Sequence, residues 1–282
     1  MDIYLDANAT TPVLPQAREA ALAAMAGDFG NPSSIHNTGL KARALMDAVR
    51  ERARRAIGAP TGRLLFLSGA TEGIQTAVLS ALNALRARRR AGESVPELLL
   101  YGATEHKAVP EALRHWNALL GLDLEVLAIP VGRNGRHDLD WLRAHAPRAG
   151  MVCTMAANNE TGVVSDLDGI AAALVCSPAL WMVDSVQALG KLPLRLGERP
   201  IDYAPFSGHK LYAPKGIGLL YVREGAPFTP LMAGGGQEDS LRSGTENMSG
   251  IAALGAVLAA LEEGFTFRPV SYTHLRAHET RG

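Results

Sequence analysis

The chain of 282 residues carries 28 Lys and Arg against 28 Asp and Glu, so its formal net charge is zero. This balance gives no electrostatic reason to expect a nucleic-acid partner or an anionic membrane surface. Two cysteines are too few for a disulfide framework, no apolar stretch is long enough to cross a bilayer, and no basic-then-apolar leader opens the chain, so we expect a cytoplasmic protein.

Apolar runs of strand length alternate with amphipathic stretches of helix length along most of the chain. The predicted helices cover residues 14–26, 39–57, 71–89, 106–120, 138–145, 166–175 and 247–262. The predicted strands cover residues 64–68, 97–101, 124–128, 150–155, 180–184, 203–207 and 217–222. Strands that are apolar throughout are buried on both faces, so the pattern predicts an α/β fold with three layers, α/β/α, and a mainly parallel central sheet.

Small residues follow the first predicted strand and begin the next helix. In the segment Ser68-Gly69-Ala70-Thr71, backbone N–H groups at a helix start would face outward and Thr71 would add a hydroxyl. Such a turn can hold a phosphate, although the same residues also form an ordinary helix N-cap. The segment has neither the lysine ending of a P-loop nor the three-glycine spacing of a dinucleotide fold.

Polar residues also follow the predicted strands at 97–101 and 150–155. In Thr104-Glu105-His106, the histidine could stack on a planar ring and exchange a proton near neutral pH, or it could be an exposed residue at a helix start. Asn158 and Asn159 follow the strand at 150–155. A polar pair in that place either contacts a ring oxygen or builds a turn.

An aspartate and a lysine end two later strands. Asp184 ends an apolar run, with Gln187 three residues on, and Lys210 follows Ser207 and His209. A carboxylate that pairs with a pyridinium nitrogen, together with a lysine that holds an aldehyde carbon, is the pair that pyridoxal phosphate requires. Taken separately, Asp184 could equally be a helix N-cap and Lys210 a surface lysine.

In this order, the segments resemble the cysteine desulfurase branch of the class V aminotransferase-like enzymes, which have the pyridoxal-phosphate fold type I. The resemblance extends from about residue 2 to about residue 264. Besides the segments already named, it rests on residues 3–6, 9–12, 30–34, 214–216, 234–238 and 242–245.

The resemblance implies a role for each polar residue near the cofactor ring. Lys210 would hold the aldehyde carbon covalently and Asp184 would pair with the pyridine nitrogen. Gln187 would contact the ring hydroxyl oxygen, and Asn159 would lie beside that oxygen and the substrate. His106 would stack on the ring face, so that Lys210 and His106 would be the catalytic residues.

The resemblance also implies a phosphate site and a dimer. Ala70, Thr71, Ser207 and His209 would hold the cofactor phosphate. Thr245 would reach the phosphate of the partner subunit, because the family forms homodimers with shared sites. No resident metal is implied.

The activity implied by the resemblance is desulfuration of L-cysteine to L-alanine. The sulfur would leave as an enzyme persulfide, destined for iron–sulfur cluster or thio-cofactor synthesis through an acceptor or scaffold protein. Two alternatives stay open from the sequence. One is another class V activity, either a selenocysteine lyase or an aminotransferase, and the other is a fragment that binds pyridoxal phosphate without catalysis.

The sequence departs from the family beyond residue 264. Residues 1–14 would belong to a small domain, residues 15–264 would form the cofactor-binding large domain, and residues 265–282 would be an unstructured, non-native tail. Residues 270–280 resemble the translation of a common sequencing adapter, and their two histidines suggest no metal site. The family's C-terminal small domain, with its nucleophilic cysteine, is therefore expected to be missing.

Neither cysteine of the chain is expected to replace the missing nucleophile. Cys153 lies within the predicted strand at 150–155, where a cysteine is usually a small buried hydrophobic residue. Cys176 follows a predicted helix, on the side of the next strand opposite to Asp184. We therefore expect an inactive fragment as regards sulfur removal, and exposed apolar surface near the N-terminal segment.

Overall fold

The computed structural model describes residues 4–265, and the expected non-native tail lies outside them apart from Phe265. The strands are β1 Arg63–Leu67, β2 Leu98–Gly102, β3 Glu125–Ile129, β4 Ala149–Met155, β5 Leu180–Asp184, β6 Tyr203–Ser207 and β7 Gly218–Val222. The longer helices are α1 Pro15–Ala26, α2 Asn37–Ile57, α3 Ala70–Arg90, α4 Ala108–Leu120, α5 Leu139–His145, α6 Leu167–Leu174 and α7 Met248–Glu262. Each corresponds to a predicted element, with its ends displaced by at most two residues.

The strands form one sheet in the order β1-β7-β6-β5-β4-β2-β3. The β2–β3, β2–β4, β4–β5 and β5–β6 pairs are parallel, whereas β7 runs antiparallel to both of its neighbours. The prediction of a mainly parallel sheet is confirmed, and β7 is the strand that departs from it.

Both faces of the sheet are covered by helices. Along β1, Leu64 and Phe66 join the core formed with α1, α2, α5, α6 and α7, whereas Leu65 and Leu67 join the core formed with α3 and α4. Successive side chains of a strand point to opposite faces, so a strand that is buried on both faces is apolar without interruption. The predicted α/β/α layering is therefore correct.

The strand order reverses between β2 and β4. From β2 the chain proceeds outward to β3, and from β4 it proceeds the other way through β5 to β6. The loops that leave the carboxyl ends of β2 and β4 therefore diverge and leave a crevice, where ligands bind in open α/β sheets. The segments at 104–106, 158–159 and 184–187 all leave this edge.

The N-terminal segment lies against the turn that follows β6. The backbone N–H of Thr11 donates to the carbonyl of His209 at 2.9 Å, and the N–H of Leu14 donates to the carbonyl of Tyr212 at 3.0 Å. Whether residues 1–14 belong to a separate domain stays a prediction. No helix within residues 4–265 is both long and apolar enough to span a bilayer.

Candidate active site

A cavity of about 510 Å³ lies at the crevice where the strand order reverses. Of the ten residues predicted from the sequence, all but Thr245 line it. They are Ala70, Thr71, His106, Asn159, Asp184, Gln187, Ser207, His209 and Lys210. The segments that carry these residues are far apart in the chain, and the parallel strands bring their ends to one edge of the sheet.

Lys210 lies in a short 3₁₀ turn, Gly208–Lys210, immediately after β6. Its Nζ donates to the carbonyl of Asn8 at 2.5 Å and to the carbonyl of Ala9 at 2.7 Å. Partial burial lowers the pKa of Lys210, although Asp6 and Asp184 oppose the change. The amine is therefore easier to deprotonate than a surface lysine, as a nucleophile toward an aldehyde requires.

Asp184 ends β5 and is 6% exposed. One carboxyl oxygen accepts the backbone N–H of Val186 at 3.0 Å. Burial raises the pKa of Asp184, whereas the Val186 N–H, His106 and Lys210 favour the charged form. The alternative of a helix N-cap is wrong, because a turn follows β5 and the carboxylate accepts within that turn.

Gln187 is held between two residues that the sequence analysis did not identify. Its side-chain nitrogen donates to the carbonyl of Asn8 at 3.0 Å, and its side-chain oxygen accepts from Nζ of Lys191 at 2.7 Å. These contacts fix which end of the amide is the donor. Burial, followed by the charge of Lys210, lowers the pKa of Lys191 from 10.5 to about 8.

The N-terminus of α3 forms the other end of the cavity. The first N–H groups of a helix have no partner within it, and the helix dipole favours an anion there. Gly69 precedes the helix, and β7 passes so close that a Cβ on Gly218 would lie 2.6 Å from the Cα of Gly69. Glycine at position 218 therefore permits this approach of backbone to backbone.

Glu72 fixes the turn that precedes α3. Its carboxylate accepts the backbone N–H of Ser68 at 2.7 Å and the side chain of Arg242 at 2.9 Å. Burial alone would raise the pKa of Glu72, but the hydrogen bonds from Arg242 and Ser68 outweigh it and the pKa is lowered. Neither Glu72 nor Arg242 was predicted as a site residue.

Ser207, His209 and Lys215 also line the cavity. His209 Nδ1 lies 3.1 Å from the hydroxyl of Thr10, which positions the imidazole ring. Burial, together with the charges of Lys210 and Lys215, lowers the pKa of His209. The hydroxyl, the imidazole and the two ammonium groups are suited to an anion.

His106 and Asn159 complete the lining. His106 Nδ1 accepts the backbone N–H of Ala108 at 3.2 Å, so a neutral ring in this geometry carries its proton on Nε2. The carbonyl of Asn159 accepts from the side chain of Asn8 at 3.1 Å. Asn158 instead builds its own loop, because its side-chain oxygen accepts the backbone N–H of Thr161 at 2.8 Å. Asn158 therefore builds a turn, and the contact of Asn159 with a ring oxygen stays a prediction.

Thr245 is exposed and lines a different, small cavity of about 120 Å³. The loop that precedes it has positive φ at Glu238, Asp239 and Ser240. Glu238 is anchored by two hydrogen bonds from Arg50, at 2.9 and 3.0 Å. The role predicted for Thr245 concerns a partner subunit, so it stays a prediction.

Neither cysteine lines the cavity. Cys153 is fully buried in β4, and burial followed by the charge of Glu105 raises its pKa well above 9.0. Cys176 is exposed and follows α6. A buried thiol with a raised pKa is a poor nucleophile. Within residues 4–265, no cluster of His, Cys, Asp and Glu is arranged to hold a metal ion.

Comparison with known proteins supports the resemblance noted from the sequence. The family model described as Aminotransferase class-V matches residues 3–280. The chain belongs to this class-V aminotransferase family. The match continues past residue 264, where the sequence-based resemblance ends.

The relatives of this class-V chain include cysteine desulfurases. A protein named Cysteine desulfurase from Cereibacter sphaeroides is 42% identical over 256 residues, which are 90% of this chain and 63% of that protein. A solved structure named NIFS-LIKE PROTEIN superimposes with a TM-score of 0.84 at 34% identity, over 93% of this chain and 70% of that one. Another, SspA in complex with cysteine, has a TM-score of 0.79 at 28% identity, over 92% and 72%. The chain thus spans about 63% of the Cereibacter relative.

The residues of this class-V chain fit the cofactor that the family implies. Pyridoxal phosphate carries a phosphate, a pyridine nitrogen, a hydroxyl oxygen and an aldehyde. The cavity has a helix N-terminus at one end, and Asp184 and Lys210 line it as well. The amide donor of Gln187 is the fourth of these features, so that the cavity offers a partner for each of the four groups of the cofactor.

Proposed function

We propose that this chain binds pyridoxal phosphate in the cavity at the strand-order reversal, with Lys210 as the covalent attachment point. The observation that carries the proposal is that Lys210 and the buried carboxylate of Asp184 line one cavity together with the N-terminus of α3. When bound, the cofactor supplies an aldehyde for the lysine and a ring that withdraws electrons from the substrate. The remaining chemistry belongs to the residues of the chain.

Each side chain of the cavity has one proposed task near the ring. The charge of Asp184 would favour a protonated pyridine nitrogen, and the Gln187 amide would donate to the ring hydroxyl oxygen. His106 would pack against the ring and exchange a proton through Nε2, because Nδ1 accepts from Ala108. Lys210, whose pKa partial burial lowers, accepts and returns the proton of the substrate α-carbon.

The phosphate end of the site follows the same logic. Backbone N–H groups at Ala70 and Thr71, with the side chains of Thr71, Ser207 and His209, would donate to the phosphate oxygens. Asn159 would lie beside the ring oxygen and the substrate. Thr245 contributes to the site of a partner subunit, so the functional unit in this proposal is a homodimer.

We propose that the reaction of the whole protein is removal of sulfur from L-cysteine, with L-alanine as the second product. The proteins named cysteine desulfurase among the relatives, and the solved relative in complex with cysteine, support this substrate. The sulfur would pass as a persulfide to an acceptor or scaffold for iron–sulfur cluster or thio-cofactor synthesis. The names of the relatives favour this activity over a selenocysteine lyase or an aminotransferase.

A second candidate function is cofactor binding without sulfur removal. It is favoured by the position of both cysteines of the chain away from the cavity. Sulfur removal requires a thiolate that approaches the substrate sulfur and then withdraws. Cys153, fully buried in a strand, is not placed for that movement.

Absorbance and covalent trapping test the cofactor proposal. Purified protein mixed with pyridoxal phosphate should gain a visible band, and borohydride should fix the label on Lys210. The Lys210→Ala variant should lose both signals, whereas Lys215→Met, which alters another lysine of the cavity, should keep the label. A borohydride-stable label that persists in Lys210→Ala would show that the assignment is wrong. Asp184→Asn should still bind the cofactor, but its visible absorbance band should lie at a different wavelength from that of the wild type.

Sulfide release separates the two candidate functions. We expect this chain, loaded with cofactor, to exchange substrate α-protons slowly and to release no sulfide from L-cysteine above the rate of free cofactor. Sulfide release that disappears in Cys153→Ser or Cys176→Ser would instead identify a nucleophile within the chain.

A further inference from the structure

In the part of the chain that the structure describes, three polar side chains that do not line the main cavity have buried atoms without a hydrogen-bond partner, and two of them, Glu105 and His137, lie close together. Glu105 lies in the loop after β2, and His137 follows β3, where it forms an isolated bridge with Val131. Within residues 4–265, neither carboxyl oxygen of Glu105 and neither ring nitrogen of His137 makes a hydrogen bond of ordinary geometry, although the backbone of Met155 lies near enough to Glu105 to favour its charged form. Buried polar atoms are nearly always hydrogen-bonded in native proteins, so these four require a physical explanation.

The two side chains meet at Gly102, the last residue of β2. A Cβ on Gly102 would collide with Nε2 of His137 and would lie 2.9 Å from Oε1 of Glu105. Nε2 of His137 and Oε1 of Glu105 therefore both lie close to this Cβ position. The distance between these two atoms is no greater than the combined length of two hydrogen bonds. One bridging water spans a separation of this size, and rotation of either side chain can shorten it.

The surroundings decide which of the two groups holds a proton. Burial, followed by the charge of Asp184, raises the pKa of Glu105 well above 4.5, and a backbone contact with Met155 offsets only part of this. Burial lowers the pKa of His137 below 6.5. Cys153 of β4 is also near Glu105, and its raised pKa keeps it a neutral thiol. Each of these directions favours an uncharged pair.

Asp184 differs from Glu105 in its neighbours. Lys210 and His106 both favour the charged form of Asp184, as does the N–H of Val186. No cation acts on Glu105 in the same way among the causes that shift it. Two carboxyl groups that share a low-dielectric region avoid double ionisation, so the proton settles on the one without cationic neighbours.

We propose that Glu105 and His137 form a neutral pair, in which the protonated carboxyl of Glu105 donates to Nε2 of His137 directly or through one water, and that the pair leaves the negative charge at this end of the cavity on Asp184. The proton stays on the carboxyl oxygen, and the histidine carries its ring proton on Nδ1. Glu105 is then a positioning residue that acts on the site through Asp184. The existence of the pair stands by itself, whereas its effect on the cofactor rests on the proposed function.

Infrared spectroscopy of the cofactor-free protein, with isotope-labelled glutamate, tests the protonation of Glu105. At neutral pH the wild type should have protonated-carboxyl intensity, to which Glu238, with its pKa raised by burial to about 7, also contributes, and the part that belongs to Glu105 should be lost in Glu105→Gln. The control Glu125→Gln, which alters an exposed glutamate of β3, should retain it. If Glu105→Gln removes intensity only from the ionised-carboxylate band, the proposal is overturned.

The pH dependence of unfolding tests both members of the pair. A raised carboxyl pKa in the folded state lowers stability as pH rises above 4.5, and a lowered histidine pKa lowers stability as pH falls below 6.5. Between these values, the denaturation midpoint of Glu105→Gln relative to wild type should rise with pH. That of His137→Gln should rise as pH falls, and in the double variant these two opposite contributions should offset each other. Trends of the same sign in the two single variants would refute the neutral pair.

A cofactor titration tests the link to Asp184. Glutamine at position 105 mimics the protonated acid, so Glu105→Gln should leave the pH midpoint of the visible cofactor band unchanged. A charged Glu105 in the wild type would instead make the substitution shift that midpoint by about one pH unit, a tenfold change in proton affinity, and would overturn the proposal. Gly102→Ala, which inserts a methyl group between the two side chains, should remove the infrared band's sensitivity to His137→Gln. Failure of the wild type to bind cofactor would count against the proposed function and not against the pair.

Discussion

Replacement of Lys191 by methionine should remove a rise in stability with pH that results from the burial of Lys191. The Lys191 ammonium is partly buried and donates to Gln187 at 2.7 Å. Its pKa in the folded chain is about 8, against 10.5 when it is solvated. Between these two values the unfolded chain binds more protons than the folded chain, so the wild type gains stability as pH rises.

The magnitude follows from the two pKa values. One pH unit within this interval corresponds to about 1.4 kcal/mol, so the full contribution is roughly 3 kcal/mol. An experiment between about pH 7 and about pH 9 samples the part in which Lys191 loses its proton in the folded state, and captures ~1.3 kcal/mol. Methionine has a similar length and no charge, so Lys191→Met should lack this gain.

Urea unfolding of the two proteins at each pH measures the effect as a difference. The free energy of unfolding of the wild type, minus that of Lys191→Met, should rise by ~1.3 kcal/mol from about pH 7 to about pH 9. The control Lys41→Met alters an exposed lysine of α2 and should follow the wild type. A flat difference for Lys191→Met would refute the argument that burial controls this ammonium.

Three further variants test local features of the fold by urea unfolding. Ser240→Gly should stabilise the chain by about 0.5–1 kcal/mol, because Ser240 has a φ of 65° that glycine adopts without strain; an unchanged midpoint would show that the turn is unstrained. Gly218→Ala should cost about 1–3 kcal/mol and weaken phosphate binding, because the new Cβ meets backbone atoms that include the Cα of Gly69; wild-type phosphate affinity would contradict this. Arg50→Met should lower the free energy of unfolding by about 3–5 kcal/mol, because it leaves Glu238 buried without its cation. Adding Glu238→Gln to this variant should recover part of the loss. If the double variant recovers nothing, the cost comes from lost packing.

The elements of the fold were predictable because the sheet is buried on both faces. Strands such as Leu180–Asp184 are continuous apolar runs that end at a polar residue, and the pattern therefore marks both the strand and its end. The antiparallel direction of Gly218–Val222 was not predictable in the same way. Its short connection from Lys210 suits a strand that returns beside its predecessor, but apolar content alone carries no information on direction.

The site was predictable to the extent that it follows strand ends. Asp184 and Lys210 each lie at or just past the end of a strand, so the topology alone brings them to one edge. Lys191 and Asn8 were not predicted as site residues, because their roles arise from contacts between separate segments and no sequence spacing indicates them. His137 was not predicted for the same reason, since its neighbour Glu105 is 32 residues away in the chain.

The contacts of Asn8 indicate what cofactor binding would require of the N-terminal segment. The carbonyl of Asn8 accepts from both Lys210 and Gln187, which are the two donors assigned to the aldehyde carbon and the ring oxygen. An ammonium has three protons to donate, and a lysine nitrogen that is covalently bound to an aldehyde carbon has at most one. Attachment at Lys210 therefore removes at least one of its bonds to the carbonyls of Asn8 and Ala9, and the ring oxygen competes for the other donor. The N-terminal segment is thus held by the same side chains that the proposed cofactor would use, so in that proposal its position and the occupancy of the cavity would be coupled.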